Sequence, residues 1–166
     1  MRDNYLFESK KDALAFMVKH INNITSFNIN QMFYLVWSHY AGSYGQDEIK
    51  NPEGITEYEF NYPKWLCPAE FYAEHIYPTD FEAKYIINSF VENNELLHFE
   101  PDVKPEYQDA CLFIKEKIDY FNNVYSTFGL VEATMEDTEV VKHCMSNTLM
   151  DNQSIKSDYT TLISIL

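Results

Sequence analysis

The stretch that most constrains the fold runs from Asn28 to Gly42 and reads NINQMFYLVWSHYAG. Its apolar residues recur at i, i+3, i+4, i+7, i+8 and i+11, which is the spacing of one continuous helix face. They are Ile29, Met32, Phe33, Val36, Trp37 and Tyr40. A stripe of this kind is about 18 Å long, so other helices have to cover it. The sequence therefore predicts a central helix within a helical domain.

Local signals predict where this helix begins and ends. Asn28 is a favoured N-cap, and Gln31 is spaced to close a capping box with it. Gly42 suits the left-handed position that follows a helix. An earlier helix is predicted after the N-cap Ser9, reaching about Asn22. Because the connector between the two helices is only about five residues long, we expect them to pack as an antiparallel pair.

Further helices are predicted downstream, each from a capping residue or proline followed by an apolar face. They run from Pro68 to about Ile76, after Thr79 to about Asn93, from Pro105 to Phe128, after Thr134 to about Met145, and after Ser157 to Ile165. The loop 46–62 is polar and acidic, and alternation over 55–60 predicts one short strand or hairpin there. No repeat or long linker divides the chain. We therefore predict a mainly α fold, a single-domain bundle of about six helices over residues 1–166.

Charge is the strongest compositional signal. The chain has 26 Asp and Glu residues against 12 Lys and Arg, a formal net charge of −14 with neutral histidines. Phosphate backbones repel so acidic a protein, so direct nucleic-acid binding is not expected. A basic protein partner is favoured, and the attraction would speed association more than it strengthens binding. A second interpretation stays open, in which the acidity serves solubility alone.

Cysteine usage and hydropathy bear on location. Cys67, Cys111 and Cys144 are far apart and odd in number, and no signal peptide precedes them, so we interpret them as reduced, buried thiols. No apolar run approaches the roughly 18 residues that a membrane span needs. These observations predict a cytoplasmic protein that does not contact the membrane.

No motif for catalysis, metal binding or cofactor binding is found. The histidines lack ligand spacing such as H-E-x-x-H, and no Walker loop, nucleophile elbow or C-x-x-C occurs. Glu70 and Glu74 would share one face of the predicted helix, and paired carboxylates can perform acid–base chemistry, as could the neighbouring His75. A solvated acidic face is the commoner outcome. We therefore expect a non-enzymatic protein without cofactor or metal.

Aromatic residues in the segment around Trp65 are the best candidates for a binding site. They lie beside prolines, after a loop and among carboxylates, and such rings often anchor protein–protein contacts. The predicted partner-binding residues are Tyr62, Trp65, Phe71, Tyr72, Glu70 and Glu74. The alternative is that Trp65 fills the core beneath the loop, because large aromatic residues are highly buried on average.

The order of these features resembles that of the Panacea domain, a helical antitoxin-type domain also found in phage-associated proteins. The segments that carry the resemblance are the apolar helix Ala13–Ile21, the helix with Met32-Phe33-Tyr34 and Trp37, the Tyr/Gly end Tyr40–Gly45, the Trp/Pro segment Trp65–Tyr72, and the closing motif Met150–Tyr159. Cys67-Pro68-Ala69 stands nearest to the family's Gly-Pro-Val signature, without its glycine. The resemblance implies a non-enzymatic protein that neutralises a co-encoded toxin, in some cases by presenting it to a protease.

Three hypotheses for the function follow. The first is an antitoxin-like acidic protein that binds and neutralises a basic protein partner, such as a toxin. The second is a phage or mobile-element inhibitor of a host defence nuclease that imitates nucleic acid, whose complexes should weaken steeply with salt. The third is an enzyme that uses Glu70 and Glu74, or His75. The sequence does not indicate the oligomeric state.

Overall fold

The computed structural model describes residues 3–45, 50–51, 54–55, 62–74, 77–135, 143 and 148–165. Its helices are α1 (Lys10–Val18), α2 (Ser26–Tyr44), α3 (Phe81–Asn93), α4 (Gln108–Val124), α5 (Thr127–Met135) and α6 (Asn152–Ile165). Its strands are β1 (Lys50–Asn51), β2 (Gly54–Ile55), β3 (Tyr72–Glu74) and β4 (Tyr77–Thr79), in two antiparallel hairpins, β1–β2 and β3–β4. The prediction of a mainly α domain with a short hairpin is confirmed.

Helix α2 is the centre of the molecule, as the sequence predicts. Its apolar stripe is buried, and Tyr34, Trp37 and Tyr40 are among the largest fully buried side chains. Helices α1, α3, α4, α5 and α6 all pack against it. A helix covered on so many sides shows little polar face, which explains why Asn28, Gln31 and Ser38 are also buried.

Both predicted ends of α2 are wrong by a few residues. The N-cap is Thr25, whose Oγ1 accepts a hydrogen bond from the Asn28 backbone N–H at 3.2 Å. Gln31 is completely buried and, within the described residues, its amide has no hydrogen-bond partner, so the capping box does not form. The helix runs through Gly42 to Tyr44 and is capped by Gly45. Gly42 serves helix packing instead, because α6 lies against it.

The predicted helix from Pro68 to Ile76 is also wrong. The segment forms β3, which pairs with β4 so that Tyr72 lies opposite Thr79. A remote segment also contacts it, since the Met150 N–H donates to the Phe71 carbonyl at 2.8 Å and Tyr72 bridges to Leu149. Backbone groups satisfied by strand pairing cannot be helical, and this pairing comes from residues far along the chain. His75 and Ile76 lie outside the described residues.

The remaining helices agree with the predictions in type and differ at their ends. Ser9 caps α1, but α1 ends at Val18 rather than Asn22. Helix α3 has the predicted extent, with Asp80 rather than Thr79 as its N-cap. The predicted 105–128 helix is a 3₁₀ turn, Pro105–Tyr107, followed by α4, which ends because Tyr125 is extended.

The C-terminal third departs further from the prediction. Helix α5 passes through Phe128, where the predicted 105–128 helix ends. Helix α6 begins at Asn152, well before Ser157, and the Asp151 carboxylate accepts a hydrogen bond from the Ser154 N–H at 2.9 Å. Most of the helix predicted from Thr134 to Met145 lies outside the described residues, as does the alternating segment 56–60.

Candidate functional site

The candidate site is built around Asp80, the N-cap of α3. Its Oδ1 accepts from the Ala83 N–H at 2.8 Å, which caps the helix. Its Oδ2 accepts from the Glu70 N–H at 2.8 Å and lies 3.1 Å from the Lys10 ammonium. The Asp80 side chain is only 1% exposed. One buried carboxylate thus fixes α1, α3 and the segment before β3 relative to each other.

Lys10 completes this buried ion pair and extends it to the surface. Its Nζ also lies 2.6 Å from the Glu82 carboxylate, which is 69% exposed. Burial alone would lower the pKa of the Lys10 ammonium, but the hydrogen bond to Glu82 and the charge of Asp80 raise it overall. Lys10 is therefore held in its charged form between two carboxylates.

Trp65 is half-buried and stacks on Trp37, with ring centroids 5.2 Å apart and an angle of 14° between the planes. Trp37 is itself fixed, because its indole N–H donates to the Cys67 carbonyl at 3.0 Å. The backbone N–H of Trp65 donates to the Asn4 carbonyl, and its carbonyl accepts from the Leu6 N–H, both at 2.9 Å. The indole pair is therefore a rigid feature. Trp65 thus packs against the core residue Trp37 and is itself neither fully buried nor exposed.

A cavity of about 480 Å³ lies beside the indole pair, and we call it the indole cavity. Its walls include Lys10, Trp37, Trp65, Glu70, Glu82 and Asn152. Glu70 and Glu82 are exposed, so the cavity meets solvent on their side. Its volume falls in the range of about 300–1,000 Å³ that is usual for ligand pockets.

Exposed apolar side chains lie at the start of α3 and beside β3, and together with the partly buried Tyr72 we call them the aromatic surface. Its exposed members are Phe81, Tyr85 and Leu149. Phe81 is 51% exposed, Tyr85 77% and Leu149 51%. The rings of Tyr72 and Phe81 lie 5.2 Å apart, and Phe81 and Tyr85 are neighbours one helical turn apart. Clustered exposed rings of this kind mark interaction sites more often than isolated apolar residues do.

Three carboxylates lie near the aromatic surface, and two of them, Glu74 and Glu82, are paired with lysines. Both Glu74 oxygens lie 3.0 Å from the Lys84 ammonium, with each side chain partly exposed. Glu82 adjoins Phe81 in sequence and Glu70 precedes β3. Within the described residues, the Glu70 side chain has no ion pair or hydrogen bond, so its charge is uncompensated. The result is an apolar patch with an acidic rim.

Two of the predicted partner-binding residues belong to the core. Phe71 is 1% exposed and packs against Phe33, Tyr34 and Trp37. Tyr62 is also buried, and its hydroxyl donates to the Asp109 carboxylate at 3.3 Å. Neither ring is accessible to a partner, because each completes the packing beneath the surface. This corrects the prediction for these two residues.

Two exposed aromatic residues of the site were missed in the sequence. Phe81 and Tyr85 lie on α3 but outside its buried face, which consists of Ala83, Ile87 and Phe90. In the sequence, both residues lie off the apolar stripe of the predicted helix, and this position is the feature that indicates their exposure. Trp65, Tyr72, Glu70 and Glu74 do lie at or next to the site, although Glu70 and Glu74 are not on a common helix face.

The positions of Glu70 and Glu74 give little support to acid–base catalysis by these two carboxylates. Glu74 is in β3 and paired with Lys84, whereas Glu70 precedes the strand and adjoins the indole cavity. In the part of the chain that the structure describes, no group of three His, Cys, Asp or Glu side chains could hold a metal ion. Cys67 and Cys111 are buried free thiols, and burial raises the pKa of Cys111 to about 11. Cys144 lies outside the described residues.

No helix within the described ranges is both long enough and apolar enough to span a bilayer.

Comparison with known proteins does not add a functional assignment. No protein-family model, curated protein or solved structure matches this chain.

Proposed function

We propose that this chain is a non-enzymatic acidic protein that binds and neutralises a basic protein partner in the cytoplasm, in the manner of an antitoxin. The observation that carries the proposal is the aromatic surface with its acidic rim. Phe81 and Tyr85 are 51% and 77% exposed on a helix whose first turn is held in place by the buried Asp80. Because the backbone that carries these rings is fixed before binding, less conformational entropy is lost when a partner binds.

The chemistry of this surface favours a protein partner over a small substrate. Aromatic side chains dominate the energetics of protein interfaces, and a polar rim excludes water around them. The net charge of −14 favours a positively charged counterpart and repels nucleic acid. The resemblance to the Panacea domain, carried by segments such as Trp65–Tyr72, supports neutralisation of a toxin as the purpose of binding.

Growth rescue tests the proposal directly. The chain is co-expressed with each protein encoded beside it in its native genome, and host growth is measured after induction of the neighbour. We expect one neighbour to arrest growth alone and to be harmless together with this chain. The double variant Phe81→Ala/Tyr85→Ala should lose the rescue, because it removes both exposed anchors.

A matched control separates binding from folding. Leu112 and Tyr120 on α4 are 53% and 51% exposed, close to the exposure of Phe81, and lie outside the aromatic surface. The double variant Leu112→Ala/Tyr120→Ala should still rescue growth, and both variants should melt within a few degrees of the parent. If no neighbour is neutralised, or if the two double variants rescue equally well, the proposal is wrong.

A further inference from the structure

We propose that a second cavity, formed where the α1–α2 connector meets the junction of α4 and α5, binds a short uncharged peptide segment of another protein. Its volume is about 320 Å³, at the lower end of the range of about 300–1,000 Å³ that is usual for ligand pockets. We call it the asparagine cavity, because its walls include Asn22, Asn23, Asn28 and Asn122, together with Tyr125 and Ser126. It shares no wall residue with the aromatic surface or the indole cavity, so the inference does not rest on the proposed function.

Hydrogen bonds between the walls fix the shape of the asparagine cavity. The Asn122 Oδ1 accepts from the Asn22 backbone N–H at 3.2 Å, and its Nδ2 donates to the His20 carbonyl at 2.7 Å. On the opposite side of the connector, the Asn28 Nδ2 donates to the Asn23 carbonyl at 2.9 Å. One amide thus ties the connector to α4 and the other ties it to α2. The cavity is formed before any ligand arrives, which reduces the entropy lost on binding.

The side-chain oxygen of Asn28 is an open acceptor in this cavity. Asn28 is only 4% exposed, and the bond from its Nδ2 determines the orientation of the amide. Its Oδ1 has no hydrogen-bond partner among the described residues. Unlike the unpaired amide atoms of Gln31, which are completely enclosed, this oxygen keeps accessible surface in a residue that lines the cavity. A nearly buried acceptor without a donor is costly, so a ligand that donates is favoured.

Ser126 supplies an open donor in the same cavity. Its Oγ accepts from the Gly129 N–H at 3.1 Å, and its hydroxyl hydrogen bonds to no described residue. The side chain is exposed, so a ligand can reach it. The site therefore offers one acceptor, on Asn28, and one donor, on Ser126. A peptide group carries the complementary pair, an N–H donor and a carbonyl acceptor.

The asparagine cavity is electrically neutral. Among the described residues, no charged side chain lines it. Lys115 and Asp119 lie on the same face of α4 as Asn122, and they pair with each other at 3.1 Å. An ionised ligand would lose water here without gaining a counter-charge, which is costly. An internal peptide group is therefore favoured over a charged chain terminus or a phosphate.

Apolar side chains beside the cavity favour a polypeptide over a sugar, which is also neutral and rich in donors. Ile24 is 39% exposed, Phe27 36% and Val124 53%, and each adjoins a wall residue in the chain. The aliphatic side chains that flank a bound peptide group would remove this apolar surface from water. A sugar presents hydroxyl groups in the same places and would gain nothing from it. The chemistry of the ligand is thus a peptide backbone that carries aliphatic side chains.

A capped peptide tests the assignment. The full chain is labelled with ¹⁵N and titrated with N-acetyl-alanyl-leucyl-valyl-alanine amide, while the Asn28 backbone and Asn122 side-chain N–H resonances are followed. We expect saturable shifts of both. The same peptide methylated at its peptide nitrogens cannot donate to the Asn28 Oδ1 and should bind about tenfold more weakly. Maltotriose, a neutral polyol, should cause no saturable shift.

Two double variants of matched exposure test the apolar contacts. Ile24→Ala/Val124→Ala should weaken binding of the capped peptide about tenfold, because it removes apolar surface beside the cavity. Val91→Ala/Leu97→Ala removes side chains that are 39% and 47% exposed elsewhere and should leave the affinity unchanged. Equal affinities of the capped peptide for the two double variants, equal affinities of the capped and methylated peptides, or binding of maltotriose alone would overturn the peptide assignment.

This test is independent of the proposed function. Phe81→Ala/Tyr85→Ala should bind the capped peptide as the parent does, because neither residue lines the asparagine cavity. If the peptide binds but no neighbour is neutralised, the proposed function fails and the peptide site stands. If a neighbour is neutralised but the peptide causes no saturable shift, the peptide site fails and the proposed function stands.

Discussion

At the residue scale, Asp80 illustrates how a buried charge is retained in this protein. A carboxylate out of water is stable only if its lone pairs are satisfied and its charge is balanced. Asp80 meets both conditions, with two backbone N–H donors from Ala83 and Glu70 and the ammonium of Lys10. The same three contacts position the wall of the indole cavity and the first turn of α3.

Replacing Asp80 should therefore be costly. We expect Asp80→Ala to lower the free energy of unfolding by about 3 kcal/mol, because it removes the cap of α3 and leaves Lys10 with a single carboxylate. Asp80→Asn should lose less, because an amide oxygen can still accept from the Ala83 N–H. Urea unfolding measures both. Asp119→Ala removes a partly exposed pair with Lys115 and should cost less than about 1 kcal/mol. A loss for Asp80→Ala no larger than for Asp119→Ala would contradict this account.

The capping residue of α3 shows how far sequence reasoning reaches at this scale. Thr79 and Asp80 are both good N-caps, and the spacing of Thr79 and Glu82 favours a capping box. Asp80 is preferred in the structure because its second oxygen also accepts from the Glu70 N–H and pairs with Lys10. Those partners come from other segments of the chain. Local spacing therefore predicts the helix start to within one residue but does not identify the capping residue.

At the scale of elements, the contact between α2 and α6 depends on the absence of a side chain at Gly42. A Cβ at this position would lie 2.8 Å from the Tyr159 Cβ and 2.9 Å from the Tyr159 backbone carbon. Across the same contact, Thr160 donates to the Gly42 carbonyl at 3.3 Å and Lys156 to the Gly45 carbonyl at 2.9 Å. The helices thus approach closely enough for side chains of one to reach the backbone of the other.

Gly42→Ala should push these helices apart. We expect the free energy of unfolding to fall by about 1–3 kcal/mol, since backbone atoms of α6 cannot rotate away as a side chain can. Amide hydrogen exchange over residues 152–165 should also become faster. Gly129→Ala is the matched control, because the nearest atom to its added Cβ is 3.2 Å away on the Tyr125 ring, and its effect should stay within about 1 kcal/mol. Equal effects of the two substitutions would show that close approach at Gly42 is not limiting.

His39 lies where α2, α4 and α6 meet, and it makes this junction sensitive to acid. Its ring lies 5.3 Å from that of Phe121 and 5.0 Å from that of Tyr159. Burial, with a smaller contribution from the charge of Lys117, lowers the pKa of His39 from its ordinary 6.5 to about 4. The unfolded chain therefore takes up a proton between these values that the folded chain does not bind.

Stability should accordingly decline as the pH falls from 6.5 towards 4. The contribution of His39 to this decline is at most roughly 3 kcal/mol, from a shift of about two and a half pH units. Urea unfolding at pH 7 and pH 4.5 measures it as the difference between the parent and His39→Phe, which cannot titrate. We expect His39→Phe to lose less stability on acidification, and the exposed control His98→Phe to behave as the parent. Identical losses for the parent and His39→Phe would exclude this role.

The comparison of α2 with the 68–76 segment explains which elements were predictable. The α2 stripe repeats with helical spacing, so local periodicity was enough to predict the helix. The 68–76 segment also carries helix signals, a proline at the first position and rings at helical spacing. Pairing of Phe71 and Tyr72 with residues 149–150 overrides them, and no local pattern encodes a partner so distant in sequence. For the same reason, the sequence does not predict that Asn152 lines the indole cavity.

At the scale of the whole molecule, charge and apolar contact have separable effects on binding. The net charge of −14 acts over a distance set by ionic strength, about 10 Å at 0.1 M salt. The aromatic surface acts only after contact, when water is expelled from Phe81 and Tyr85. Charge should therefore govern how fast the partner is found, whereas the apolar surface should govern how long it stays.

Salt dependence of the binding kinetics distinguishes the antitoxin-like hypothesis from imitation of nucleic acid. With the neutralised partner in hand, we expect the association rate constant to fall about tenfold between 50 and 500 mM NaCl, while the dissociation rate constant changes less than about threefold. A nucleic-acid mimic is held by charge pairs, so its dissociation should accelerate steeply over the same range. Surface plasmon resonance measures both constants. The double variant Phe81→Ala/Tyr85→Ala should accelerate dissociation at every salt concentration. If this variant changes only the association rate constant, the two rings contribute nothing to the bound state, and imitation of nucleic acid is favoured.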